Sequence, residues 1–184
     1  MVLVGDIEKA FLNVAQHAEG LPATKQNTLR LLAGVYDPLG LISPVTVRVK
    51  VIFREVCCQK YEWDKQLGER VKKGLEDWTK DLIDCHKIDV KRCIYDHPCE
   101  EVEECSLHRF ADARKKAYCG MVYLVYRTQV GRYAQMLTSK TRVAPLKELS
   151  IPRLELMAAL ILVKLMVSVE GALASEQSVK RVGA

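Results

Sequence analysis

The spacing of apolar residues changes period midway along this chain. Leu67, Val71, Leu75, Trp78 and Leu82 recur four, eight, eleven and fifteen positions along one stripe, which is the spacing of a single α-helical face. Gly74 interrupts that stripe at small cost. Beyond Cys105 the pattern turns strand-like, in Leu107 to Ala111, Cys119 to Arg127 and Arg132 to Arg142, with Gly131 at a turn. Three strands in succession predict an antiparallel meander. The expected class is mixed α/β of the α+β kind, with a helical N-terminal half and a β-β-β-α C-terminal half.

The flanking segments fit this division. Met1 to Asp6 reads as a buried strand, and Glu8 to Ala18 has mixed helical character that Gly20, Leu21 and Pro22 interrupt. Thr24 can cap a helix with Leu29, Leu32, Ala33 and Tyr36 on its apolar face, stopped by Asp37-Pro38 and Gly40. Ser43-Pro44 resembles an N-cap with proline in the first turn. The valines that follow alternate as in a strand and also fit one helix face with Ile52, Phe53 and Val56; the cap favours helix. Cys85 to Cys105 shows no sustained period and reads as a connecting segment. Ser150 caps a last helix with Leu154, Ala158, Ile161, Leu162, Leu165 and Val169 inward, and a frayed tail is expected after Glu170.

Charge is distributed unevenly. Residues 106–184 carry 13 Lys and Arg against 5 Asp and Glu, a net of +8, while the preceding residues net −3. The basic half is the place to expect a polyanion. The longest apolar run, Leu156 to Val163, falls far short of the roughly 20 residues of a membrane span. No membrane partner and an intracellular location, cytoplasmic or nuclear, are therefore expected. An odd count of 7 cysteines without a framework spacing points to reduced thiols.

Asp112, at the end of the first C-terminal strand, and Glu155, in the first turns of the last helix, converge if that helix packs across the meander. Paired carboxylates without a nearby His or Cys suit magnesium, which takes oxygen ligands and activates water for phosphodiester cleavage. The plainer reading is a turn aspartate and a glutamate favoured by the helix dipole. Arg114, Lys115 and Lys116 can touch phosphate or simply be solvated. Cys85, His86, Cys93, His97, Cys99, Cys105 and His108 crowd one stretch but lack a Cys-x-x-Cys pair, so free thiols and surface histidines are favoured over zinc. Cys57-Cys58 reads as a helix-packing pair, and Trp63 and Trp78 as core or domain-contact residues.

Several separate motifs carry a resemblance. Pro22-Ala-Thr-Lys, Tyr36-Asp-Pro-Leu-Gly-Leu-Ile-Ser-Pro-Val45, Phe110-Ala-Asp-Ala, Lys116-Ala-Tyr118, Ser139-Lys-Thr-Arg-Val-Ala-Pro-Leu-Lys and Leu149-Ser-Ile-Pro-Arg-Leu-Glu-Leu156 occur in the order found in BEL/Pao retrotransposon polyproteins. The region resembled, roughly Pro22 to Val169, often bears the label Pao retrotransposon peptidase. The resemblance implies a remnant of the polymerase palm over 1–21, reverse transcriptase thumb and connection over 22–84 and an incomplete ribonuclease H-like domain over 106–170, between and after which the residue pattern gives a connecting segment over 85–105 and a flexible tail over 171–184. It implies Asp112 and Glu155 as catalytic, magnesium-binding carboxylates, Asp6 as a palm metal ligand, and an RNA–DNA hybrid or other nucleic acid as partner, alongside the remainder of a retroelement polyprotein.

This sequence departs from the family pattern where activity is decided. Only Glu170 and Glu176 are acidic after Glu155, and neither lies in the Trp-Thr-Asp-Ser-like motif that carries a third catalytic Asp. No Tyr-x-Asp-Asp follows Asp6. Asp-Thr-Gly and Asp-Ser-Gly are both missing, so proteolysis is not predicted. The expectation is a catalytically incomplete fragment; the competing expectation is a non-catalytic basic module that binds nucleic acid.

Overall fold

In a computed structural model, residues 14, 20–85 and 101–175 of the chain are described. They fall into two compact units, one built on 20–38, 42–85 and 145–147, the other on 39–41, 101–144 and 148–175. The expected N-terminal strand, Asp6, most of the segment between Cys85 and Cys105, and residues 176–184 lie outside the described residues.

The first unit holds helices α1 (Lys25–Gly34), α2 (Ser43–Cys58) and α3 (Glu69–Asp84). Thr24 caps α1 by accepting from the Asn27 amide at 3.2 Å. The buried face of α1 is Asn27, Thr28 and Leu31, whereas Leu29 and Tyr36 of the expected stripe are exposed. These polar residues tolerate burial because each is satisfied: the Thr28 hydroxyl donates to the Thr24 carbonyl at 2.8 Å and the Asn27 amide to the Pro22 carbonyl at 2.9 Å. The valine-rich run is helix α2, not strand. Its cap falls one residue earlier than expected, at Ile42, whose amide donates to Asp37 Oδ2 at 3.1 Å, and Pro44 lies in the first turn.

The α3 stripe is inward as the spacing predicts. Leu75, Trp78 and Leu82 are buried with Leu31, Ile42 and Val49, and Val71 packs against them. The Trp78 indole donates to the Val45 carbonyl at 3.0 Å, tying α3 to α2. Of the two tryptophans expected as core or domain-contact residues, Trp63 is not in the core: it is 51% exposed, and the Lys25 ammonium sits 4.5 Å over its ring. Of the expected packing pair, Cys57 is half-buried and Cys58 exposed at the end of α2.

The second unit is the predicted β-β-β-α. Strands β1 (Glu104–Ala113), β2 (Ala117–Arg127) and β3 (Arg132–Val143) pair antiparallel in the order β1-β2-β3, and α4 (Ile151–Ser175) lies over β1 and β2 and barely reaches β3. β1 begins at Glu104 instead of Leu107, because Arg127 on the paired strand reaches Glu103 at 3.4 Å and Glu104 at 3.6 Å. Helix α4 continues past Glu170 to Ser175, beyond the expected start of the tail.

Gly120 seats the helix on the sheet. A Cβ there would lie 3.1–3.3 Å from the backbone nitrogen, Cα and Cβ of Leu162, so any side chain at this position requires α4 to give by a few tenths of an ångström. Around that point Leu154, Ala158 and Ile161 are buried with Ala113, Tyr118 and Ala144. The opposite stripe of α4, Leu156, Leu160, Val163 and Val167, is exposed. By length and composition Ile151–Ala174 is apolar enough to cross a membrane, which the longest uninterrupted run did not reveal; 22% of its most apolar stretch is buried, through the face that carries Leu154, Ala158 and Ile161 onto the sheet.

Substituting Gly120→Val forces α4 off the sheet, and overpacking of this kind costs about 1–3 kcal/mol. Urea unfolding is expected to show a correspondingly lower midpoint for the variant; an unchanged midpoint would contradict the close approach of α4.

Candidate nucleic-acid interface

The pairing register decides which residues share a face of the sheet. Tyr118, Gly120 and Val122 of β2 face α4, and their partners Ala113, Ala111 and Arg109 share that face. Asp112, paired with Cys119, lies on the other face, one residue before the end of β1. Glu155 follows the buried Leu154 on α4 and is exposed. The structure brings the two carboxylates to one end of the unit, since Ala113 and Leu154 belong to the same apolar cluster. It does not set them on one face of the sheet.

Arg114, Lys115 and Lys116 form the β1–β2 connection at this same end, and all three are exposed. The Arg114 amide donates to the Ala117 carbonyl at 2.8 Å, and the Lys116 carbonyl accepts from the Ala144 amide at 2.9 Å, so backbone bonds hold the hairpin to the end of β3. Arg153 adds a further exposed cation at the start of α4. The opposite end of the sheet is acidic, with Glu101, Glu103 and Glu104, and its Arg127 is already engaged by two of them. The sheet is therefore polarised lengthwise, basic at the β1–β2 hairpin and acidic at the start of β1.

Two exposed residues escaped the sequence reading. Lys140 pairs opposite Gly120 and Arg142 opposite Tyr118, which puts both on the α4 side of edge strand β3. Their signal was the alternation Lys140-Thr141-Arg142, which turns two cations to one face once β3 is known to be an edge.

The zinc reading gains nothing from the structure. Among the described residues no group of three or more His, Cys, Asp or Glu could hold a metal ion; His86, Cys93, His97 and Cys99 lie outside those residues. The described cysteines are free thiols. Burial pushes the Cys85 thiol up from its ordinary range, with Asp84 and Asp37 adding to the rise, which keeps it protonated and a poor ligand. For magnesium the donor chemistry of Asp112 and Glu155 is suitable, because that ion takes one or two carboxylates and fills its remaining positions with water or phosphate oxygens.

These features define an α+β domain with a helix laid across a three-stranded meander and exposed cations gathered at the hairpin end. Residues 24–182 match the family described as Pao retrotransposon-like RNaseH-like domain, and the chain belongs to that family. Comparison with curated proteins and with solved structures finds no match.

Burial raises the Cys119 thiol, the Asp112 backbone hydrogen bond lowers it, and the Asp112 charge raises it again. Replacing Asp112 by Asn removes the last of these, so the thiolate forms at lower pH. Alkylation of Cys119, followed by mass spectrometry, is expected to have its midpoint above the ordinary thiol range in the wild type and lower in Asp112→Asn; identical profiles would contradict the placement of Asp112 beside Cys119.

Proposed function

We propose that the chain is the nucleic-acid-binding, ribonuclease H-like part of a Pao-type retroelement polyprotein, with an RNA–DNA hybrid as its partner and with two candidate carboxylates, Asp112 and Glu155, whose placement does not by itself support turnover. The observation that carries this reading is the gathering of Asp112, Glu155, Arg114, Lys115, Lys116 and Arg153 at one end of one unit. The helices of the first unit take the part of thumb and connection, and an intracellular setting follows from the retroelement context.

Binding comes first. The hairpin cations neutralise phosphates and release condensed counterions, a contribution that needs no base contact and fits a partner recognised by its shape. Asp112 and Glu155 supply oxygen donors for magnesium at the same end. When bound, that ion supplies activation of water and stabilisation of a leaving oxygen. Two exposed carboxylates on different faces do not by themselves fix an attacking water, and misplacement of about 1 Å already costs on the order of 100-fold in rate. The geometry therefore favours a module that holds a hybrid over one that cuts it.

Fluorescence anisotropy with a labelled 16-base-pair RNA–DNA hybrid tests the reading. The three to four phosphate contacts of the hairpin end are expected by themselves to contribute about −3 to the log–log salt slope. Asp112→Asn and Glu155→Gln are each expected to leave affinity unchanged in EDTA. RNA cleavage in magnesium or manganese is expected to stay at the level without protein. A flat salt response contradicts the binding assignment, and metal-dependent cleavage lost in Asp112→Asn contradicts the assignment of incomplete catalysis.

A further inference from the structure

We infer that Lys140 and Arg142 of edge strand β3 extend the basic hairpin into a track for the phosphate backbone of a double-helical nucleic acid, beside α4. This rests on the proposed nucleic-acid reading, including its double-helical partner, and adds where on the unit that partner lies.

Register and exposure carry the placement. Lys140 and Arg142 sit opposite Gly120 and Tyr118, residues that face α4. Because α4 lies over β1 and β2, this side of β3 is left open, and both cations are exposed. Two residues apart on one strand face, they stand roughly 7 Å apart, the axial rise of about two nucleotides in one strand of a duplex. The bond between the Ala144 amide and the Lys116 carbonyl joins this strip to the hairpin, so Lys140, Arg142, Lys116, Lys115 and Arg114 follow one another along a continuous border.

Residues 39–41 brace the strip. The Ser139 amide and the Thr138 hydroxyl donate to the Leu39 carbonyl at 2.8 and 3.1 Å, and the Ser139 hydroxyl donates to the Gly40 carbonyl at 2.6 Å. Gly40 has φ +73°, and a Cβ on it would run into the Ser139 carbonyl, so only glycine allows the segment to lie this close. The outer edge of β3 is thus occupied at 138–139, immediately before the two cations.

Charge is unspent here. Among the described residues no carboxylate forms an ion pair with Lys140 or Arg142, in contrast to Arg127 at the acidic end. The form of the partner follows from the aromatic residues. Single strands are held by exposed rings on which bases stack, but Tyr118 is buried and Tyr126 and Tyr133 stack on each other at 5.3 Å. Exposed Phe110 lies on the opposite face, against Tyr123. A strip with cations and no free ring matches a helix whose bases are turned inward.

The test measures salt-dependent anisotropy of the full chain with a 16-base-pair RNA–DNA hybrid, a DNA duplex and a 16-nucleotide RNA. The double variant Lys140→Ala/Arg142→Ala is expected to lower the magnitude of the hybrid salt slope by about 2, since each lost phosphate contact removes about 0.9. Lys72→Ala/Lys80→Ala on the first unit is expected to change nothing, and circular dichroism is expected to show both variants folded. Both duplexes are expected to bind more tightly than the single strand. A steep wild-type slope left unchanged in Lys140→Ala/Arg142→Ala overturns the track while the nucleic-acid reading stands; a flat wild-type response overturns that reading itself. Tighter binding of the single strand, or equal loss in the Lys72/Lys80 variant, also overturns the track. If Lys140→Ala/Arg142→Ala fails to fold, Lys140→Gln and Arg142→Gln made singly must each lower the slope by about 1, and no change in either overturns it.

Discussion

The close approach of Leu162 to Gly120 is the contact on which the second unit depends. With no side chain at position 120, α4 settles directly on β2, and its N-terminal turns then reach the far end of β1 and β2. Leu154 and Ala158 pack there on Ala113, Tyr118 and Ala144. That single seat determines where Glu155 and Arg153 stand relative to Asp112 and the hairpin. It also leaves one side of β3 uncovered, since a helix centred on β2 and β1 cannot shield all three strands.

The charge arrangement follows from the same geometry. Acidic residues concentrate at the start of β1, where Arg127 neutralises part of them, and cations concentrate at the hairpin and along the end of β3. A polyanion approaching such a sheet meets attraction at one end and repulsion at the other, so the field orients it before any contact forms. The two candidate carboxylates sit within the attractive end. Polarity of this kind favours binding in one register without reading sequence.

Much of this was legible in the residues, and the failures have physical causes. The α3 stripe from Val71 to Leu82 and the alternation of β2 were readable because burial there follows the period, and β1 and β3 were readable from their strand-like composition on either side of it. The buried face of α1 was not, because Thr24, Asn27 and Thr28 satisfy one another and the Pro22 carbonyl, which lets polar side chains take positions usually reserved for leucine. Of the two roles open to Trp63, core or domain contact, the core one is not taken: the ring is half exposed with the Lys25 ammonium over it. The acidic residues before Ser106 were read as a connector, yet Glu104 belongs to a strand whose exposed edge tolerates charge. Gly171 did not end α4, its cost being about 1 kcal/mol against a long apolar helix. At the site, the shared end of Asp112 and Glu155 followed from element order. Their faces did not, since strand parity depends on a register that Gly120 helps to fix, and for the same reason Lys140 and Arg142 were passed over.

The central claim is that the hairpin end of the sheet, not its acidic end and not the first unit, receives nucleic acid. A titration of isotopically labelled protein with an RNA–DNA hybrid, followed by amide chemical shifts, tests it most directly. The account predicts perturbations clustered at 112–118, 140–144 and 150–155. Perturbations clustered around Glu104, Arg127 and Arg132, or confined to α1–α3, would contradict it.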